Sequence, residues 1–191
     1  FDLNSLYPSI IMQYNMSPET IAEGEVSKVD IEAVLTKSQR PDNLGKALAA
    51  NGQVFNTDKV GIIPLIIDEM YQERVGIKDN MIKAQKELQK VDKDVKKELY
   101  RIEKEISIAE NRQMSIKILL NSLYGALGNK YFRFFDQRVA EAITLTGQLT
   151  IRWAEYALNT YLNRAMRTET WKDYVVAIDT DSLYVCLDDL V

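Results

Sequence analysis

Residues 175–187 read VVAIDTDSLYVCL, and the fold turns on how this stretch is read. Val, Ile, Leu and Tyr flank a central Asp-Thr-Asp, which predicts strand, turn and strand in a buried hairpin. Asp179 and Asp181 stand one residue apart at its tip. Neighbouring carboxylates repel, and each pushes the ionisation of the other the wrong way. A metal, a lysine or solvent counter-ions could each compensate them. Asp is also ordinary turn chemistry, because its side chain bonds its own backbone there.

Working outward from the hairpin, residues 137–165 read as a helix. Residues 64–126 hold no proline after Pro64 and only Gly76 and Gly125, which suits two long helices, with Gly128 as the C-cap of the second. Their middle, residues 85–106, carries seven basic and six acidic side chains, a balance that suits a solvated, salt-bridged pair better than a nucleic-acid stripe. QVFNTDKVG (53–61) predicts a small hairpin or turn. Residues 17–51 are short elements punctuated by Pro18, Gly24, Pro41 and Gly45. SLYPSIIMQYN (5–15) starts a helix, with Ser5 able to cap and Pro8 tolerable in the first turn. FDLN (1–4) is a strand end. The order predicts an α+β fold in which a helical insertion divides a sheet domain.

Composition narrows the chemistry by exclusion. The 191 residues include no histidine, so imidazole bases, His-based metal sites and Ser-His-Asp triads are ruled out. The single Cys186 excludes an internal disulfide. A net charge of −4 gives no global attraction to nucleic acid, so an anionic partner needs local basic clusters. No apolar run is long enough to span a bilayer. The chain opens at Phe1, inside what reads as a strand end, and is expected to be a fragment.

If the hairpin pairs beside FDLN, Asp2, Asp179 and Asp181 converge at one sheet edge. Three uncompensated charges would be costly in a partly dry site. Two divalent cations would reverse the balance and attract a polyphosphate, and carboxylate oxygens suit Mg²⁺ or Mn²⁺ rather than zinc. In KILLNSLYG (117–125), Lys117, Asn121 and Tyr124 follow at i, i+4 and i+7 on one helix face, with Gln113 on the same stripe. A cation, an amide and an aromatic could meet phosphate, sugar and base in turn. Arg74 and Lys78 share a face in the first long helix and suit a triphosphate. Taken alone, such residues are more often ordinary solvent-exposed helix charges, and a tyrosine at helical spacing such as Tyr124 is more often core than contact.

FDLNSLYPSII (1–11), KILLNSLYG and DTDS (179–182), in this order, resemble motifs A, B and C of the family B DNA polymerases. MSPETIA (16–22), the NG…GIIP segment and the NSLYGALGN phrasing are most similar to the replicative polymerases of T-even-type bacteriophages. The resemblance covers essentially the whole chain. It implies a polymerase palm at residues 1–60 and 130–191, interrupted by a helical fingers hairpin at 61–129. It also implies template-directed addition of dNMP to a primer 3′-OH with pyrophosphate release. Primer-template DNA and dNTP are the implied partners, with a sliding clamp for the parent protein, in the cytoplasm of an infected bacterial host.

Carried over onto matching positions, Asp2 and Asp181 would hold two Mg²⁺ (or Mn²⁺) ions, with Asp179 nearer the catalytic one. The Leu3 carbonyl would be a further metal ligand. Backbone N–H groups of Ser5 and Leu6 would face the triphosphate. Tyr7 matches the steric gate beneath the sugar. Arg74, Lys78 and Lys117 would neutralise the triphosphate, supported by Asn121. Tyr124 and Gly125 would pack by the nascent base pair, the glycine because a side chain would collide. Two departures stand out. Ala177-Ile178 occupy the place where the family usually has Tyr-Gly, and the chain has no room for the upstream exonuclease or the downstream thumb, so the isolated fragment is expected to be a poor polymerase. A two-metal nuclease and a non-catalytic helical interaction module are the rival readings.

Overall fold

The computed structural model describes residues 1–38, 45–92 and 95–188, so Pro41 and the Lys93–Asp94 part of the charged run lie outside the described residues. Its hub is the short helix α1 (Leu6–Gln13), which buries Leu6, Pro8, Ile10 and Ile11. Three long helices enclose that hub: α3 (Ile62–Leu88), α4 (Lys96–Leu127) and α5 (Gln137–Met166). On α5, Val139, Ala142, Ile143, Thr146, Gly147 and Ile151 form one buried stripe. That is the i, i+3, i+4, i+7 spacing of a helix laid on a core. Ile63 and Ile67 of α3 and Ile116, Leu120 and Leu127 of α4 close the same cluster.

α3 and α4 run on past this cluster as an antiparallel hairpin, held at its surface by ions both alongside the cluster and beyond it. Arg101 reaches Glu98 at 2.8 Å, Glu87 at 3.2 Å and Glu105 at 3.3 Å, and Arg112 reaches Glu73 at 2.5 Å. The charge balance of the sequence therefore serves the salt-bridged pair it predicted. Gly128 stands at the end of α4 as expected, but at φ −82°, in the right-handed region. The last turn closes without the left-handed residue for which glycine is usually chosen.

A three-stranded antiparallel sheet, in the order β1-β3-β2, joins β1 (Ile21–Val26), β2 (Ala47–Leu48) and β3 (Gln53–Phe55). The short α2 (Ile31–Leu35) lies between the first two, its N-terminus capped by Asp30, which accepts from Glu32 N and Ala33 N. The hairpin expected at 53–61 is not formed as such. Gln53–Phe55 is the buried central strand, and the residues after it lead into α3. Asn15 sets that entry. From the left-handed region, at φ 53°, it donates to Asn56 O (2.7 Å) and Lys59 O (2.8 Å) and accepts from Gly61 N (2.8 Å). The end of α1 is thereby latched to the start of α3.

The second sheet is the hairpin β4 (Val175–Asp179) and β5 (Ser182–Val185), turned by Thr180-Asp181 with Thr180 at φ 48°. Residues 1–3 lie antiparallel beside β5. Leu3 N donates to Asp181 O and Leu183 N to Phe1 O, both at 2.8 Å. FDLN is thus extended and paired, through one bridge between Asp2 and Ser182 rather than a full strand. The hairpin is not buried as expected, because only one of its faces is covered. Val175 and Leu183 pack on Ile151, Ala154 and Leu158 of α5. The register shift between Val175 and Ala177 switches the alternation and brings Val175 to that inner face. Val176 (67% exposed) and Tyr184 (54%) remain outside.

Two asparagines of α5, one turn apart, aim the hairpin. Asn159 donates to Asp173 Oδ1 and accepts from Tyr174 N (2.9 Å), while Asn163 donates to Lys172 O and accepts from its N–H. Asn is disfavoured inside helices because it bonds nearby backbone. Here that tendency is directed at a neighbouring segment. Among the described residues no helix is long and apolar enough to cross a membrane.

Candidate active site

A cleft of about 340 Å³ opens where the chain start, α1, α4 and the hairpin tip meet. Asp2, Asn4 and Asp181 line one side, Ser5, Leu6, Tyr7 and Pro8 the floor, and Lys117, Asn121 and Tyr124 the other side. Residues from both ends of the sequence thus face a helix drawn from its middle. The N-terminus of α1 points into this space. Its N-cap Ser5 is left-handed (φ 55°) and does not cap: the hydroxyl is 3.3 Å from Asn4 Oδ1 instead. A capping side chain needs an extended backbone to reach back to the N2 or N3 amide, which φ 55° denies. The first amides of α1 are left to the cleft, where the dipole favours an anion.

The acids are arranged in a row. Asp2 is the partner of Ser182, and Ser182 the partner of Asp179, so these three side chains share the uncovered face of the sheet. Ser182 Oγ lies 3.4 Å from Asp2 Oδ1. Asp2 and Asp179 are consequently two strand spacings apart, roughly 10 Å between backbones. That separation explains why no three acidic side chains among the described residues form a closed metal-binding group. Asp2 and Asp181 enter the cleft together, while Asp179 does not line it and accepts from Thr180 Oγ1 at 3.1 Å.

Among the described residues neither Asp2 nor Asp181 pairs with a cation, and Lys117 pairs with no carboxylate. Two hard-oxygen groups without a counter-charge make a donor set that fits Mg²⁺ or Mn²⁺. Tyr7 senses the same field. Burial, then Tyr124, then the Asp181 carboxylate raise its phenol above the ordinary value. Its ring stacks on Tyr124, with centroids 4.6 Å apart and planes at 27°.

The remaining sequence candidates lie around this cleft rather than in it. Leu3 is half-buried, packed against both hydrophobic clusters. Arg74 is buried (8% exposed) in line with Ile63 and Ile67, and its Nε has no partner among the described residues. Its reading as an ordinary solvent charge therefore falls. Lys78, one turn on, is half-buried, and Gln113 is buried on the inner side of α4. A Cβ added at Gly125 would meet nothing within 4 Å, so any collision there must come from a bound partner. The sequence reading passed over Asn4, although it stands two residues from Asp2, on the same side of an extended chain.

A family model for DNA polymerase family B matches residues 1–189. The chain belongs to that family. The DNA-directed DNA polymerase of Enterobacteria phage T4 is 34% identical over 226 aligned positions, which include all of this chain and 25% of the relative. That of Escherichia phage RB69 is 33% identical, with the same coverage of both chains. The solved family B DNA polymerase of the archaeon Pyrobaculum calidifontis superposes with a TM-score of 0.53 at 26% identity, over 95% of this chain and 19% of that one. The chain thus spans about a quarter of the length of the curated relatives it matches. In this family B chain, the Ala177-Ile178 pair is divided by the pleat. Ile178 pairs with Leu183 and Ala177 with Tyr184, beside the acidic row.

Proposed function

We propose that this chain is the catalytic core of a template-directed DNA polymerase, adding dNMP to a primer 3′-OH with release of pyrophosphate. One observation carries the reading: Asp2 and Asp181, from opposite ends of the chain, line one cleft with the Lys117–Asn121–Tyr124 stripe and Tyr7. Residues 1–60 and 130–191 would then be the palm and residues 61–129 the fingers. The isolated chain would extend primers weakly.

Asp2 and Asp181 would hold two divalent cations, and Asp179, at the far end of the row, and the Leu3 carbonyl would add further oxygen ligands. When bound, such a pair stabilises charge on the attacking and leaving oxygens of an in-line phosphoryl transfer. The chain's own groups do the positioning. The amides of Ser5 and Leu6 receive phosphate oxygens at the start of α1. Lys117 faces the carboxylates across the cleft, so a triphosphate between them meets a cation on its far side. Asn121 donates to the same group, and Arg74 and Lys78 reach it as the helical hairpin closes. Tyr7, braced by Tyr124, lies under the sugar and leaves no room for a 2′-OH. Tyr124 and Gly125 flank the new base pair.

The test is primer extension by the full-length protein. Asp2→Ala and Asp181→Ala are each expected to reduce the extension rate roughly a thousandfold or more, since they remove groups acting on developing charge. Tyr7→Ala is expected to keep extension and admit ribonucleotides. Undiminished extension by both aspartate variants would exclude this reading, and DNA cleavage without dNTP-dependent extension would favour a nuclease.

A further inference from the structure

We propose that Gly147 of α5 is a positioning residue for the Tyr7 ring, and through it sets how the cleft accepts a sugar. This inference rests on the reading of Tyr7 given above. Gly147 is buried in the interior of α5, where glycine is less favourable than alanine by about 1 kcal/mol. Its backbone is not left-handed, so conformation does not demand glycine. Space does. A Cβ at 147 would lie 2.9 Å from Tyr7 Cε1 and 3.6 Å from Cδ1, while the next atom, Ile10 Cδ1, is at an ordinary 3.8 Å. The tyrosine ring alone excludes a side chain. The other two glycines inside helices, Gly76 and Gly125, have nothing within 4 Å of that position.

The ring has few ways to yield. Its backbone belongs to α1, anchored by buried Leu6 and Ile10 on either side in the sequence. One face stacks on Tyr124 of α4. A methyl group at 147 must therefore turn the ring off its Tyr124 contact or out into the cleft it lines. Gly147 thus determines how far the gate stands in the sugar's path, although it touches no substrate itself.

The experiment is a double-mutant cycle on Tyr7 and Gly147 in the full-length protein, read by single-nucleotide insertion of dNTP and rNTP. Gly147→Ala is expected to raise the KM for dNTP roughly tenfold, with kcat changed less than about threefold, as overpacking at a binding surface would. In a Tyr7→Ala background, which removes the obstructing ring, the same substitution is expected to shift KM less than about twofold. No effect of Gly147→Ala in either background would overturn the inference, as would an equal effect in both, because its action would not pass through the ring. If Tyr7→Ala itself fails to admit ribonucleotides, the gate reading falls instead, and this inference with it.

Discussion

The outer surface of the α3–α4 hairpin and the side it turns to the cleft use the same kinds of side chain to opposite ends. Far from α1, Arg101 is ringed by Glu87, Glu98 and Glu105, all solvent-exposed. Near α1, Arg74 is buried with an Nε that, among the described residues, has no partner, and Lys117 faces the cleft without a carboxylate partner among them. A protein that needed only a stable helix pair would have no reason to treat the second group so differently. Desolvating an arginine without satisfying its donors is unfavourable, and leaving a lysine opposite two aspartates without contact forgoes an available ion pair. Paired charge marks a finished surface; on the function proposed above, the unpaired charge is the part that a triphosphate would complete.

That contrast can be broken at several points. Among the residues of this contrast, the largest effect is expected at Lys117. Lys117→Ala should lower kcat/KM for dNTP insertion about a hundredfold, as loss of a cation that meets developing phosphate charge does. Its stability, read by thermal melting, should hardly change, because no ion pair is lost. Arg74→Met sharpens the same idea. Exchanging an incompletely bonded buried guanidinium for an apolar chain should stabilise the fold by about 1 kcal/mol in urea unfolding, while raising the KM for dNTP. A destabilised Arg74→Met with unchanged KM would mean that the arginine serves packing alone.

A smaller effect is expected from acid. Burial opposes ionisation of Glu19, yet hydrogen bonds from Ser17 and from the Ile62 amide at the start of α3 outweigh it and hold its carboxyl below the ordinary range. Asp136, capping α5, is held low first by its hydrogen bond from Arg138. Depressed carboxylates contribute stability in full above the unfolded value of about 4, and it is lost as pH falls through the folded one. The urea midpoint should therefore fall below about pH 4, and Glu19→Gln with Asp136→Asn should flatten that fall. The smallest effect belongs to the distal surface. Arg101→Ala should leave extension unchanged and move the melting midpoint by no more than about 2 °C.

Regular, local features of this chain were legible from the sequence. The long helices followed from sparse proline and glycine, and Lys117, Asn121 and Tyr124 share the cleft because helical spacing fixes a face. What escaped was set by distant partners. β1 contains Glu23, Gly24 and Glu25, with no alternation to announce a strand, and it exists because β3 pairs with it. Arg74 read either as a triphosphate ligand or as a surface charge, and its i, i+4 spacing from Lys78 could not show that the stripe of Ile63 and Ile67 runs straight into it. The hairpin looked buried by composition, but composition does not count how many of its faces are covered. Asp179 and Asp181 read as neighbours at one hairpin tip, and spacing alone could not show that only Asp181 lines the cleft. Strand register separates them, one ending a strand and the other in the turn.

The short bridge between the chain's first residues and β5 also has a bearing on time. Phe1 N and Leu183 O, 182 positions apart, meet at 2.9 Å. At ordinary translation rates of about 5–20 residues per second, Asp2 would leave the ribosome roughly 10–40 s before Asp181. The helices can condense meanwhile from contacts closer in sequence, whereas the acidic row waits for the most remote pairing in the chain. Within this stretch the cleft is thus completed after its helices have been made, and no nascent chain that stops short of Asp181 holds both cleft aspartates.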